Sequence, residues 1–273
     1  MPSSPAGNDA RRTIRSLFLS DLHLGARASR PSQVLAFLRN IEAETIYLVG
    51  DIFDLWHGGR LHWTGAHETL MAEFRMRRRN GTRIVYLPGN HDAAMRAPDA
   101  AVEGWELREA VIHHAADGRR YLVLHGDQCD PRILRWHAMT RLGSRLDAVL
   151  RQVDDWQRRR GDVPAGTQSP AQRVIARANQ LLAMGDRFER RLIKLARAAG
   201  TGGVICGHSH KPGLRRHGEM VYANCGDWID SLTAMTEDAH GTLSLVEFTA
   251  AAAPSPAAVT PAAGTGALAE GIA

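Results

Sequence analysis

The chain has 273 residues, 44% of them hydrophobic and 23% charged, which is ordinary for a folded globular protein and excludes a disordered or fibrous class. Cys129, Cys206 and Cys225 stand far apart with no CxxC spacing, which argues against a disulfide framework. No apolar run approaches the roughly 20 residues that span a bilayer. The net charge of +5 suits an anionic partner without choosing between a phosphorylated metabolite, nucleic acid and an acidic membrane surface.

In chain order, residues 1–13 lack the apolar core of a signal peptide. They are expected to form a disordered arm of a protein kept in a reducing cytoplasm. Strand-length apolar runs rich in β-formers follow: SLFLS (16–20), TIYLV (45–49), RIVYL (83–87) and YLVL (121–124). Between them lie amphipathic stretches of helical length, PSQVLAFLRNIEAE (31–44) and HETLMAEFRMRRRN (67–80). This alternation predicts an α/β domain, with sheets buried and helices outside. From 131 to 199 the pattern is helical, split by GDVPAGTQSP (161–170), and reads as an insertion. GVIC (203–206), MVYAN (220–224) and TLSLVEF (242–248) follow closely enough for hairpins or a meander. Residues 250–273, rich in Ala, Pro and Gly, hold too few large apolar groups to offset ordering and are expected to be a disordered tail.

Polar residues collect where the strands end. Asp21-Leu22-His23 follows the first, Gly50-Asp51-Ile52-Phe53-Asp54 the second and Gly89-Asn90-His91-Asp92 the third. His125-Gly126-Asp127 follows the fourth, and Gly207-His208-Ser209-His210 the fifth. Each alone is an ordinary turn; five at strand ends are hard to obtain from turn preference. Asp21 and His23, like His208 and His210, are two apart, so in extended chain each pair would share a face. Asp21, His23, Asp51, Asn90, His125, His208 and His210 together offer carboxylate, imidazole and amide oxygen but no thiolate. Such a set suits manganese, iron, zinc or cobalt. Seven groups exceed one ion's need and fit two divalent ions if a carboxylate bridges, the usual clamp for phosphate-ester hydrolysis.

These motifs, DLH, GDIFD, GNHD, HGD and GHSH in order, resemble the calcineurin-like metallophosphoesterase superfamily across residues 14–249. The resemblance implies a two-sheet β-sandwich flanked by helices, with 131–199 as a helical insertion or lid. It implies that Asp21, His23, Asp51 and His210 bind one ion and that Asp51, Asn90, His125 and His208 bind the other. Manganese is the expected metal. A hydroxide between the ions would attack phosphorus in line, with His91 as acid or electrostatic stabiliser and Asp92 orienting it. Asp54 is expected to buttress a loop. Asp227 and Trp228 are placed either to line the cleft or to brace His208.

SDLHLG (20–25), GDIFDLW (50–56), HGD and NCGDW (224–228) are similar to the UDP-2,3-diacylglucosamine pyrophosphatases of lipid A biosynthesis. That similarity implies cleavage to UMP and 2,3-diacylglucosamine 1-phosphate. The best-known enzymes of that group carry arginine where this chain has His91. The partner is then a phosphorylated small molecule or lipid, with the anionic inner-membrane surface as a peripheral site; nucleic acid is not favoured. The alternatives are a phosphodiesterase or phosphatase acting on another nucleotide, nucleic-acid or lipid phosphoester, and a non-catalytic metal-binding scaffold. No oligomeric state follows from the sequence.

Overall fold

The computed structural model describes residues 11–56, 61–97, 102, 104–130 and 185–249. In chain order its elements are β1 (Arg12–Leu19), α1 (Pro31–Arg39), β2 (Ile41–Val49), α2 (Gly65–Arg79), β3 (Arg83–Leu87), β4 (Glu106–Leu107), β5 (Val111–His114) and β6 (Arg120–Val123). They continue with α3 (Gly185–Ala198), β7 (Gly203–Cys206), β8 (Gly213–His217), β9 (Met220–Asn224), β10 (Thr233–Glu237) and β11 (Leu243–Glu247).

The first three apolar runs are buried on both faces, and their side chains divide with the two-residue period of a strand. Leu17, Leu19, Ile46, Leu48, Ile84 and Tyr86 face one hydrophobic cluster, which α1 and α2 complete with Val34, Leu38, Leu70 and Phe74. Phe18, Tyr47, Val49, Val85 and Leu87 face a second cluster, where they meet Tyr121, Val123, Ile205, Val221 and Ala223. The second cluster is the inside of a sandwich. A six-stranded sheet ordered β11-β10-β1-β2-β3-β4 packs there on a five-stranded sheet ordered β5-β6-β7-β9-β8. β1 to β4 run parallel, and so do β6, β7 and β9; β10, β11, β5 and β8 pair antiparallel to their neighbours.

Several expectations need correction. The helix read over 31–44 ends at Arg39, and Ile41–Val49 is strand. In this segment Ile41 and Ala43 are buried while Glu42 and Glu44 are exposed, a period-two pattern that pairs with β1. The buried Arg77 guanidinium marks the boundary, donating to the Leu38 carbonyl at 2.5 Å and the Ile41 carbonyl at 2.9 Å. β1 begins at Arg12, inside the expected arm. The short strands β4, β5, β8 and β10 were not expected; β8 is an edge strand whose last four residues are exposed, so it carries no apolar alternation.

The chain divides into two units, one built from residues up to 126 and from 196 onward, the other from 127–195. In the second, a short turn at Asp127–Cys129 and most of α3 are described, with Arg191 Nη1 donating to the Cys129 carbonyl at 3.2 Å. The remainder of the expected insertion, the first ten residues and the tail from 250 lie outside the described residues.

Candidate metal centre

All seven candidate ligands follow the C-terminal ends of strands in the first unit, and the two sheets bring them together. Asp21 and His23 come after β1, Asp51 after β2, Asn90 after β3, His125 after β6, and His208 and His210 after β7. His210 Nε2 lies 3.1 Å from Asp21 Oδ1, and His125 Nε2 lies 3.3 Å from Asp51 Oδ2, so each contact crosses from one sheet to the other. Ligand atoms of Asp21, His23 and His210 lie within 4.8 Å of one another, as do those of Asp51, His125 and His208.

The donor set fits divalent cations. His23 Nε2 and Asn90 Oδ1 are buried and have no hydrogen-bond partner. A buried polar atom left bare costs about 1–3 kcal/mol, a cost that metal coordination removes. His125 Nδ1 lies 2.9 Å from the Val49 carbonyl, which can only accept; the proton is therefore on Nδ1, and Nε2 carries the lone pair a cation needs. Asp21 is held in the same way: Oδ2 accepts from Ser20 Oγ and from the His208 amide, leaving Oδ1 for the site. A side chain on Gly207 would collide with Ser20 Oγ and Asp21 Oδ2, so only glycine lets β7 approach this closely.

The i, i+2 pairs do not converge through extended chain. Asp21 (φ 55°), His23 (φ 46°), Asp51 (φ 53°), His208 (φ 65°) and His210 (φ 53°) all adopt left-handed backbone. Of the six described non-glycine residues with positive φ, only Leu232 is not a candidate ligand. Such conformations cost about 1–3 kcal/mol each and persist where the surroundings over-determine them. Here the loops are laced together. The Asp21 amide donates to the Gly50 carbonyl at 3.0 Å, and those of His23 and Leu24 donate to the Asp51 and Ile52 carbonyls at 2.9 and 2.8 Å.

Asp92 is not the partner of His91. Its buried carboxylate accepts from the amides of Asp51 (3.3 Å), Ile52 (2.7 Å), Phe53 (3.3 Å) and Gly89 (2.6 Å), and from the Tyr86 hydroxyl (2.5 Å). It anchors the loop that presents Asp51. Asp54 takes the role expected of Asp92: its Oδ1 lies 2.9 Å from His91 Nδ1. The signal was the second aspartate of GDIFD, three residues after Asp51, which places both carboxylates on one tight loop.

Trp228 does not line a cleft; it is fully buried against Phe37 and Phe248. Asp227 Oδ2 lies 3.9 Å from His210 Nδ1, so it faces His210 rather than His208. Cys206 and Cys225 are buried and take part in no disulfide, as their apolar character suggests.

The electrostatics follow from these contacts. Burial raises the Asp21 carboxyl, but the neighbouring His210 outweighs it and holds the group at about 2. Burial would lower His210, yet Asp21 pushes it up to about 9. Asp51 is lowered by His125 against the effect of burial. Burial lowers the His23 imidazole, in spite of Asp21 beside it. His91 is raised: burial acts downward, but the bond to Asp54 and the charge of Asp51 prevail.

The Calcineurin-like phosphoesterase family model matches residues 14–212. A UDP-2,3-diacylglucosamine hydrolase from Ralstonia nicotianae is 28% identical over 231 residues, 78% of this chain and 85% of that protein. The enzyme of the same name from Azotobacter vinelandii is 26% identical, over 74% of this chain and 83% of its own. Among solved structures, a phosphoesterase from E. coli aligns over 86% of this chain and 99% of its own at 15% identity, with a TM-score of 0.43. The family match and the two hydrolase relatives agree with the oxygen and imidazole cluster at the strand ends: the chain belongs to the calcineurin-like phosphoesterase family and is a metal-dependent phosphoester hydrolase.

Proposed function

We propose that the chain hydrolyses the pyrophosphate of UDP-2,3-diacylglucosamine, giving UMP and 2,3-diacylglucosamine 1-phosphate. The observation that carries this reading is the naming of the relatives as UDP-2,3-diacylglucosamine hydrolases, over 74–84% of this chain. In this reading Asp21, His23, Asp51 and His210 hold one divalent cation. Asp51, Asn90, His125 and His208 hold the second, and manganese is the preferred ion. When bound, such ions supply Lewis acidity toward phosphate oxygens and lower the pKa of water.

The chain's own groups do the remaining work. Asp51 is shared because its carboxylate reaches both clusters: its ligand atom lies within 4.8 Å of that of His23 in one grouping and of those of His125 and His208 in another. Asn90 adds a ligand oxygen without adding charge, which limits repulsion of an anionic phosphate. His91 has Nδ1 engaged by Asp54, so Nε2 is the nitrogen that delivers a proton to the leaving oxygen. Asp54 keeps that imidazole protonated. Acyl chains of such a substrate reside in a membrane, and a chain with net charge +5 suits an anionic membrane face. No helix among the described residues is long and apolar enough to cross one.

His91 favours a second reading, a phosphodiesterase or phosphatase acting on another phosphoester, because the resemblance to the proposed group departs at this place, where the chain has histidine. One experiment separates the two: manganese-loaded protein is offered UDP-2,3-diacylglucosamine and, separately, bis(p-nitrophenyl) phosphate. UMP release with preference for the acylated sugar nucleotide is expected. Turnover of the nitrophenyl ester alone, with no UMP at micromolar enzyme, overturns the substrate assignment. Bound metal with turnover of neither marks a scaffold.

A further inference from the structure

The segment 225–232 connects β9 of the five-stranded sheet to β10 of the six-stranded sheet, and it touches a ligand loop on each side. Just before it, the buried Asn224 carboxamide donates to the Gly207 carbonyl at 2.8 Å and to Ser209 Oγ at 3.1 Å, and it accepts from the Gly226 amide at 2.9 Å. It thus braces the turn carrying His208 and His210. At the fourth residue of the crossover, the Trp228 amide donates to the Asp21 carbonyl at 3.1 Å. Between these contacts sits Asp227, with its side chain 1% exposed.

The Asp227 carboxylate organises its own loop. Oδ1 accepts from the amides of Ile229 (2.8 Å) and Asp230 (2.6 Å), and Oδ2 accepts from Ser231 Oγ (3.0 Å). Oδ2 also faces His210 Nδ1 at 3.9 Å, while His210 Nε2 faces Asp21 Oδ1 at 3.1 Å. The imidazole therefore lies between two carboxylates, with one nitrogen toward each. A histidine that ligates a metal through one nitrogen generally donates its other N–H to a carboxylate or carbonyl, which fixes both tautomer and ring orientation.

We propose that Asp227 is the positioning residue for His210: its negative charge, 3.9 Å from Nδ1 and beyond hydrogen-bond distance, favours a proton on that nitrogen, leaves Nε2 facing the site, and so supports one of the two cation positions, the one shared with Asp21 and His23. The inference rests on the ligand assignment proposed above. The inter-sheet crossover is then the strut that sets the spacing between Asp21, after a strand of one sheet, and His210, after a strand of the other.

The test is Asp227→Asn in the full chain. Asparagine keeps the acceptor for the loop amides and replaces Oδ2 with an NH2 that cannot accept from His210. Manganese titration by calorimetry is expected to show one ion weakened about tenfold or more and the other unchanged. In a His23→Ala background D227N should not weaken the remaining ion. In zinc-loaded protein, nitrogen NMR of the histidines should show the His210 Nδ1 proton protected from exchange with water in wild type and exchanging faster in D227N. Ser231→Ala, which leaves the carboxylate in place, should bind both ions as wild type does. The proposal is overturned if D227N binds both ions normally, if both ions weaken together with the melting temperature, or if S231A reproduces the loss. A wild-type chain that takes up fewer than two manganese ions is a different failure, that of the ligand assignment.

Discussion

His91 Nδ1 sits 2.9 Å from Asp54, and its imidazole stays protonated to a higher pH than usual, because that bond and the charge of Asp51 outweigh burial. In its proposed role as acid, His91 loses its proton, and with it that role, as pH rises through the raised value. His91→Ala is expected to lower kcat by about 10²–10⁴ while retaining both ions, read by steady-state kinetics beside metal analysis. Asp54→Asn should move the alkaline limb of the kcat profile to lower pH; an unmoved limb would mean another group is the acid. His210 offers a second pH signature. Asp21 raises it to about 9 in the metal-free chain, so at neutral pH a ligating cation must displace its proton. Metal uptake should therefore release a proton, seen as a calorimetric enthalpy that depends on the buffer. Gly89 tolerates no side chain, because a Cβ there would meet Asp51 Oδ1 and the His125 ring. Gly89→Ala is thus expected to disturb Asp51 and His125 together and to lower the stoichiometry of bound metal.

At the scale of elements, the two sheets are joined by a buried polar chain as well as by apolar packing. Tyr47 Oη on β2 lies 3.1 Å from His113 Nδ1 on β5, whose Nε2 lies 2.9 Å from Glu237 Oε2 on β10. Glu237 Oε1 also accepts from Arg15 on β1 at 2.8 Å and from the Ala116 amide at 2.8 Å. Burial raises the Glu237 carboxyl, but His113 and these donors hold it at about 2. A depressed carboxyl contributes stability above its unfolded value, near 4.5, and that stability is lost as pH falls toward 2. Glu237→Gln should flatten the acid limb of the stability profile in this window, measured by urea denaturation at a series of pH values. An unchanged slope there would show that the carboxyl is not linked to folding.

For the whole molecule, the proposed ligand set predicts that folding and metal binding are linked. Buried carboxylates of Asp21 and Asp51 and bare atoms such as His23 Nε2 and Asn90 Oδ1 lie at one end of a sandwich whose two sheets both supply ligands. Each ion bound only by the folded chain stabilises it by about 2.7 kcal/mol when free ion exceeds its Kd by about 100-fold. Chelation is expected to lower the melting temperature and manganese to restore it, followed by scanning calorimetry. A melting temperature indifferent to both would separate this site from the fold's stability.

The sequence by itself determined which polar residues stand together at the strand ends as candidate ligands. Short β-rich runs, each closed by glycine, aspartate, asparagine or histidine, follow local rules of strand and turn, and those rules place Asp21, Asp51, Asn90, His125 and His208 at strand ends. Local rules also decided that β1, β2 and β3 are buried on both faces. What only the tertiary structure decided is which side chains meet. Ile41 to Glu44 became strand because β1 offered a pairing edge, although the same residues continue an amphipathic helical pattern. Asp54 rather than Asp92 reached His91 because Asp92 turned inward to the amides of the neighbouring loop. The positive φ of five candidate ligands was hidden for the same reason. A residue's intrinsic preference disfavours that backbone, and contacts between loops far apart in sequence impose it.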